Sequence, residues 1–168
     1  MIGAGPLGRR LALAAAQAGY RVLLEDVMPM NLRHAQEELR RQLNGEALPN
    51  VIFVGTIEDA VREADLVIDC VPDELESKLE ILWLLDRMAP PRTVLATPTM
   101  RLSIADLAHC TYRPEKVVAI AADAAALAPG AGREIALRIT EATSVETVEL
   151  VRSFWERLGF VPAFACET

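Results

Sequence analysis

The amino-acid sequence predicts an α/β fold in which a single domain, residues 1–168, is built on a doubly wound, mostly parallel β-sheet. Short runs rich in Val, Ile and Leu alternate with helical segments along the whole chain, as expected for repeated strand–helix–strand units. The length suits one domain, and a core of this size needs no disulfide or metal to support it. A glycine-rich turn, from Gly3 to Gly8, lies directly before the first helical segment.

The order of the elements follows from helix caps and short apolar runs. Gly19 ends the first helix, and Pro29 opens the second at a position where proline is favoured. Ser103 and Ser144 are predicted N-caps, and Gly159 ends the last helix. The predicted helices are residues 7–18, 29–43, 57–63, 73–88, 104–109 and 144–158. The predicted strands are residues 20–25, 51–54, 65–71, 93–97, 117–120, 134–140 and 160–166.

The strand that should precede the glycine turn is very short. Only Met1 and Ile2 come before Gly3, whereas a strand in the centre of a sheet usually has about five or six residues. We therefore expect either that further residues precede Met1 or that another segment fills the vacant place in the sheet.

The charge of the chain excludes some partners. Asp and Glu number 24 against 17 Lys and Arg, so the net charge is −7, which disfavours nucleic acid and anionic membranes. No apolar run reaches the roughly 20 residues that span a bilayer, and no signal-peptide pattern opens the sequence. The three cysteines lie far apart and have no zinc-type spacing with the two histidines. We expect a cytoplasmic protein without a metal site.

The glycine turn matches the pattern Gly-x-Gly-x-x-Gly. Gly3 would allow the tight turn, Gly5 would let a pyrophosphate approach the backbone, and Gly8 would let the helix pack closely on the sheet. A helix, a strand and an acidic residue follow in the order that a dinucleotide-binding unit requires. The alternative is a glycine turn kept only for packing.

The same motif indicates which part of a dinucleotide each residue would contact. The amino end of the helix, at Pro6 and Leu7, would direct backbone amides and partial positive charge at the phosphates. Asp26, about 20 residues further on, would accept hydrogen bonds from the adenosine ribose and would repel a 2′-phosphate. The motif thus favours NAD over NADP.

Residues 64–78 and 95–104 resemble the segments around the fourth and fifth strands of the 3-hydroxyacyl-CoA dehydrogenases. Residues 113–118 and 158–159 continue the similarity, so the chain resembles the N-terminal NAD-binding domain of that family along nearly its whole length. The resemblance implies a Rossmann-like fold, NAD as cofactor and an oxidoreductase relationship to fatty acid metabolism. It also adds candidate cofactor residues at the ends of two strands: Val71, Pro72, Asp73, Lys78 and Thr97.

Two of these candidates have simpler interpretations. In the family an acidic residue and a lysine lie near the nicotinamide side and the CoA side, and they match Asp73 and Lys78. Asp73 could instead cap the helix that follows it, and Lys78 could be a solvated surface charge.

The resemblance also shows what is missing. The family's loop serine, which contacts the substrate hydroxyl, falls at Met100, and its catalytic histidine falls at Ala121. The glutamate that orients this histidine falls at Arg133 or near Leu137. Because methionine and alanine cannot accept the hydroxyl proton, we expect no catalytic residue and an impaired reaction.

Three functional hypotheses stay open. The first is an NAD(H)-binding domain that associates with an acyl-CoA or a partner protein. The second is an active oxidoreductase completed by a partner chain, because the chain ends at Thr168, where the family's helical substrate and dimerisation domain would begin. The third is a structural relic without ligand. His109 is not an obvious substitute base, because a surface or helix-end position explains it, whereas Asp123 could in principle be a displaced base. The apolar run from Ile81 to Leu85 predicts either a homodimer contact or deeper core packing.

Overall fold

A computed structural model describes residues 1–43, 45 and 47–167 as one α/β unit. Its helices are α1 (Pro6–Gln17), α2 (Pro29–Gln42), α3 (Ile57–Val61), α4 (Leu75–Met88), α5 (Ile104–His109) and α6 (Val145–Arg157). Its strands are β1 (Val22–Glu25), β2 (Val51–Val54), β3 (Leu66–Ile68), β4 (Val94–Pro98), β5 (Val117–Ile120), β6 (Glu134–Thr140) and β7 (Val161–Glu167). Short 3₁₀ turns, Leu48–Asn50 and Pro114–Lys116, lead into β2 and β5.

The sheet is mostly parallel, as the sequence predicts. β1 pairs with β2 in parallel, and β3, β4 and β5 form a parallel run. β6 is antiparallel to β5, and β7 is parallel to β6. The predicted doubly wound, Rossmann-like architecture is confirmed.

Helices cover both faces of this sheet, which explains why its inner strands read as continuous apolar runs. One face packs Leu11, Leu39 and Trp155, from α1, α2 and α6 respectively, into a core cluster. The opposite face packs Leu82 of α4 and Leu107 of α5 into a second cluster. Successive residues of β4 and of β5 contribute to opposite clusters, because side chains alternate across a sheet.

The central place in the sheet is held by the first two residues alone. Ile2 bridges Glu25 on one side and Asp69 on the other, both in parallel. The Ile2 amide donates to the Ile68 carbonyl, and the Gly3 amide donates to the Glu25 carbonyl. Ile2 therefore joins the β1–β2 pair to the five-stranded sheet, and no described segment substitutes for a longer strand.

The predicted helix 73–88 begins two residues later than expected. Glu74 is the residue before its first turn, and no side chain caps it. The proposal that Asp73 caps this helix is wrong, because the Asp73 carboxylate accepts a hydrogen bond from the Met100 amide instead. Within the described residues, no helix is long and apolar enough to cross a membrane.

Candidate cofactor crevice

Two glycines of the opening turn are required by packing. Gly3 has a φ of 98°, and a Cβ there would lie 3.1 Å from the Cys70 carbonyl oxygen. A Cβ on Gly8 would lie only 1.9 Å from the Gly3 carbonyl oxygen, a contact that the backbone cannot accommodate. The Cys70 side chain packs beneath this turn, and burial raises the pKa of its thiol to about 12, so it is an inert packing residue.

The space around Gly5 differs from that around Gly3 and Gly8. A Cβ on Gly5 would meet nothing within 4 Å, so the protein itself does not require glycine there. Gly5 is the N-cap of α1, Pro6 follows at the first helical position, and no side chain caps the helix or places an acid in its first turn. The amides of Leu7 and Gly8 at this helix end suit an anionic ligand that approaches closely over Gly5.

The turn opens onto a crevice of about 650 Å³ at the carboxyl ends of β1 and β3. This volume lies in the range of small-molecule and cofactor sites. Among the described residues that line it there is no Lys or Arg, so an anion would be bound by backbone amides. Its walls are formed by Ile2, Gly3, Gly5, Pro6, Glu25, Asp26, Val27, Met28, Asn31, Ile57, Cys70, Val71, Pro72, Ser77, Glu80, Ile81 and Leu84.

The Asp26 carboxylate lies in the wall of the crevice and is fully hydrogen-bonded. One oxygen accepts from the Ala4 amide at 2.7 Å, and the other accepts from the Met28 amide at 2.8 Å. The Asn31 side-chain amide lies 3.1 Å from both oxygens. A carboxylate has about four acceptor positions, so a ribose hydroxyl would have to replace one of these donors. Asn31 is the only one of them on a rotatable side chain.

Asn31 is not among the site residues that the sequence predicts. It lies in the first turn of α2, five residues after Asp26, and an asparagine at the start of a helix is usually interpreted as a cap. One feature of the sequence could have indicated this contact. Pro29 sets the start of α2, and the first turn of that helix then lies close to Asp26.

The structure places Lys78 and Thr97 beneath the crevice, not in its wall. The Lys78 ammonium lies 2.6 Å from the Asp69 carboxylate, and both side chains are fully buried. Burial raises the pKa of Asp69, and the Lys78 charge opposes that shift. The interpretation of Lys78 as a solvated charge is wrong, because its ammonium is an internal counter-charge at the end of β3. Thr97 is fully buried, and its hydroxyl lowers the pKa of Asp69 in the same direction as Lys78 does.

Asp73 connects the crevice to the loop after β4. Its carboxylate accepts from the Met100 amide at 3.0 Å, and its backbone carbonyl lies 3.4 Å from the Arg101 guanidinium. Burial alone would raise the pKa of Asp73, but donors at Thr99 and Met100, together with nearby Lys78 and Arg101, lower it. Asp73 is therefore an ionised group that positions the loop.

The two positions matched to the family's catalytic residues follow neighbouring strands. The Thr99 amide donates to the Ile120 carbonyl at 2.9 Å, and Met100 and Ala121 come next, just beyond the carboxyl ends of β4 and β5. Met100 is 58% exposed and Ala121 is half-buried. Neither side chain can exchange a proton, so this edge offers no general base at the expected place.

The positions matched to the family's glutamate and the alternative base Asp123 lie in other environments. Leu137 is fully buried, and Arg133 is exposed near Gly159. The Asp123 carboxylate accepts from the Ala125 and Ala126 amides, which explains it as a turn cap. The described residues contain no group of three His, Cys, Asp or Glu side chains that could hold a metal.

The apolar run in α4 is divided among three environments. Ile81, Leu82 and Leu85 are buried in the core, and Ile81 also lines the crevice together with Leu84. Trp83 is 47% exposed, with the Arg87 guanidinium 4.6 Å from its ring centroid. Core packing thus explains most of the run, and Trp83 remains the residue available for a subunit contact.

The fold, the glycine turn and the crevice at a strand-order reversal define a dinucleotide-binding domain. A family profile described as "3-hydroxyacyl-CoA dehydrogenase, NAD binding domain" matches residues 1–122. The chain belongs to this family as its NAD-binding domain, and NAD is the cofactor.

Individual relatives agree with this assignment. A probable 3-hydroxybutyryl-CoA dehydrogenase of Bacillus subtilis (strain 168) is 33% identical over 129 residues, covering 69% of this chain and 45% of the relative. The 5-formyl-3-hydroxy-2-methylpyridine 4-carboxylate 5-dehydrogenase of Mesorhizobium japonicum is 30% identical over 174 residues, covering 96% of this chain and 55% of the relative. The crystal structure of 3-hydroxybutyryl-CoA dehydrogenase from Escherichia coli K12 superposes with a TM-score of 0.87 at 28% identity, covering 99% of this chain and 37% of that one. The chain spans about half or less of the length of these relatives.

Proposed function

We propose that this domain binds NAD(H) in the crevice between β1 and β3, and that the chain by itself does not oxidise an alcohol at a useful rate. The observation that carries the binding proposal is the contrast among the glycines. Packing accounts for Gly3 and Gly8, whereas the space over Gly5 is open and faces the uncapped end of α1. A pyrophosphate is the kind of ligand that would need this space.

Asp26 supports NAD over NADP. Its carboxylate lies in the crevice wall, and the described lining contains no cation that could neutralise a 2′-phosphate. Two carboxylates, Glu25 and Asp26, adjoin each other there, and burial together with the Asp26 charge raises the pKa of Glu25. The negative potential at this end would repel a further phosphate.

Calorimetric titration of the purified chain with NAD⁺, NADH and NADP⁺ tests the proposal. Gly5→Asp would place a carboxylate in the phosphate space, so we expect a loss of NAD affinity of more than about 100-fold from repulsion and steric exclusion. Gly132→Asp is the matched control, because a Cβ on the exposed Gly132 also meets nothing within 4 Å. Equal NAD⁺ affinity in the two variants would reject the crevice as the cofactor site.

The proposal of impaired catalysis rests on the neighbouring edge of the sheet. NAD⁺ accepts a hydride when bound, but the hydroxyl proton also needs an acceptor, and Met100 and Ala121 stand where the family has its serine and histidine. Loss of a general base alone costs about 10²–10⁴ in rate. A turnover number with acetoacetyl-CoA and NADH within tenfold of a complete dehydrogenase would overturn this part.

A completing partner is the second candidate function, because the relatives are about twice as long as this chain. Leu75 and Met100 are large apolar side chains, 47% and 58% exposed, and the Asp73–Met100 hydrogen bond places them near one another. A helical partner domain, supplied by the same polypeptide or by another one, would cover them and form an acyl-CoA pocket. Sedimentation analysis would show whether the chain instead forms a homodimer, and Trp83→Ser would test the α4 contact.

The free cysteines of the described chain favour a reducing compartment such as the cytoplasm.

A further inference from the structure

Arg9, near the start of α1, connects the glycine turn to α2. Its guanidinium donates to the Ala4 carbonyl at 3.0 Å, and its Nε lies 2.7 Å from a Glu38 carboxylate oxygen. The second oxygen of Glu38 accepts from the Gln42 side chain at 3.1 Å. The Arg9 side chain is only 22% exposed, so most of it is packed against protein and does not extend into solvent.

The Ala4 residue is held at both of its backbone polar groups. Its amide donates to an Asp26 carboxylate oxygen at 2.7 Å, and its carbonyl accepts from Arg9. Asn31, which donates to the same Asp26 oxygen, and Glu38, which pairs with Arg9, are seven residues apart on α2. Because seven residues are close to two helical turns, both contacts come from the same face of α2.

The Ala4 carbonyl fixes the direction of the amide that follows it. In a planar trans peptide the C=O and N–H bonds point in opposite directions, so the Gly5 N–H points away from Arg9. Gly5 lines the cofactor crevice, whereas Ala4 and Arg9 are not among its described lining residues. No described residue accepts a hydrogen bond from the Gly5 amide. The turn therefore presents an unpaired donor on its crevice side.

This donor differs from the other two at the start of α1. The Leu7 and Gly8 amides belong to helical residues, so the helix itself fixes their direction, and Pro6 has no amide hydrogen. Gly5 lies outside the helix as its N-cap, and its amide direction depends on the Ala4–Gly5 peptide. That peptide is the one whose carbonyl Arg9 binds.

We propose that Arg9 is a positioning residue for the cofactor pyrophosphate. Through the Ala4 carbonyl it keeps the Gly5 amide directed at the crevice, and Glu38 keeps Arg9 in place. This role rests on the proposed cofactor site. Since Arg9 acts through the backbone and on the phosphate donors alone, it affects ligands with a pyrophosphate, such as ADP and NAD⁺, and does not affect adenosine.

A pair of arginine variants tests this role. Arg9→Met removes the donor to Ala4. Arg10→Met is the matched control, because it removes the same charge from a neighbouring guanidinium that donates to the Ala124 carbonyl. In calorimetric titrations at high salt, where exposed charges are screened, we expect Arg9→Met to bind ADP about tenfold more weakly and Arg10→Met to bind it within about twofold of the unmodified chain. Adenosine should bind equally to all three proteins.

Glu38→Ala separates positioning from simple electrostatics. This change removes a negative charge from the protein, so charge alone would strengthen the binding of ADP. If Glu38 keeps Arg9 in place, the same change should weaken ADP binding about two- to fivefold. Glu37→Ala is the control, because Glu37 pairs with Arg41 and not with Arg9. Equal or tighter ADP binding by Glu38→Ala would overturn the role of Glu38.

A measurement without ligand distinguishes this proposal from the cofactor site itself. The NMR signal of the Gly5 amide is sensitive to the hydrogen bond on the preceding carbonyl, so it should move in Arg9→Met and stay in Arg10→Met. An unmoved Gly5 signal, or ADP affinity in Arg9→Met equal to that of the unmodified chain, would overturn the role of Arg9 and leave the cofactor site standing. Failure of the unmodified chain to bind ADP and NAD⁺ would reject the site, and the role of Arg9 with it.

Discussion

The crevice between β1 and β3 and the loops after β4 and β5 lie at the same edge of the sheet but contain different chemistry. In the crevice the groups that could hold a dinucleotide are backbone amides at Gly5 and the start of α1, with one carboxylate at Asp26. In the loops the matched positions are Met100 and Ala121, which offer no proton acceptor. Binding that depends on backbone amides survives many side-chain changes, whereas one substitution of a catalytic side chain lowers the rate severely.

The largest expected effect concerns the buried pair beneath the crevice. Lys78→Met would leave the Asp69 carboxylate buried without its counter-charge, which we expect to cost about 3–5 kcal/mol of unfolding free energy. Urea unfolding followed by circular dichroism measures this. The double variant Asp69→Leu with Lys78→Met removes both charges and should recover most of the loss. Unchanged stability of Lys78→Met would contradict the role of Lys78 as the counter-charge of Asp69.

The second prediction would break the contrast between the two regions. Met100→Ser together with Ala121→His restores a hydroxyl contact and a base at adjacent strand ends, and we expect the rate of NADH oxidation with acetoacetyl-CoA to rise about 10²-fold. Met100→Ser with Ala121→Asn is the control, since asparagine has a similar shape and no basic nitrogen. If the unmodified chain is already as fast as the restored one, catalysis proceeds through another group.

The third prediction concerns pH and the Met1 amino group. Because burial lowers its pKa in the folded state, the unfolded chain binds this proton more readily, so folding stability should rise with pH up to about 8 and then level off. Glu25 and Cys70 are the nearby groups that act on it electrostatically. N-terminal acetylation removes the charge, so the difference in unfolding free energy between acetylated and free protein should shrink as pH rises towards 8. A difference that does not change with pH would contradict a buried amine.

The smallest expected effect sharpens the description of the crevice. Asn31 occupies acceptor positions of Asp26 that a ribose hydroxyl would use, so Asn31→Ala should tighten NAD⁺ binding about two- to tenfold by removing this competitor. Asn50→Ala, whose side chain bonds the Ala16 carbonyl away from the crevice, is the control. Weaker binding by Asn31→Ala would mean that its amide contacts the cofactor directly.

Much of this architecture could be predicted from local sequence patterns. The alternation of apolar runs and capped helices located every strand and helix to within a few residues, and Ser103 and Ser144 cap α5 and α6 as expected. The roles of Gly3 and Gly8 also followed from the motif, because those two positions are constrained by the backbone of the turn itself.

The errors share a physical cause. When only α4 is considered, Asp73 just before it resembles a helix cap, and Lys78 in its first turn resembles a surface charge. Their partners, the Met100 amide and the Asp69 carboxylate, come from other elements. The role of Asn31 was missed for the same reason, since its contact with Asp26 depends on how α2 packs against the end of β1.

The sequence by itself determined the order of strands and helices, the dinucleotide turn and the residue types at the catalytic positions, because each depends on periodicity, caps or a short motif. Only the tertiary structure decided which charges are paired inside the protein, how Asp26 is hydrogen-bonded, and that Asp73 holds the loop after β4. Those features arise where distant segments meet, and no local pattern specifies the distance between them.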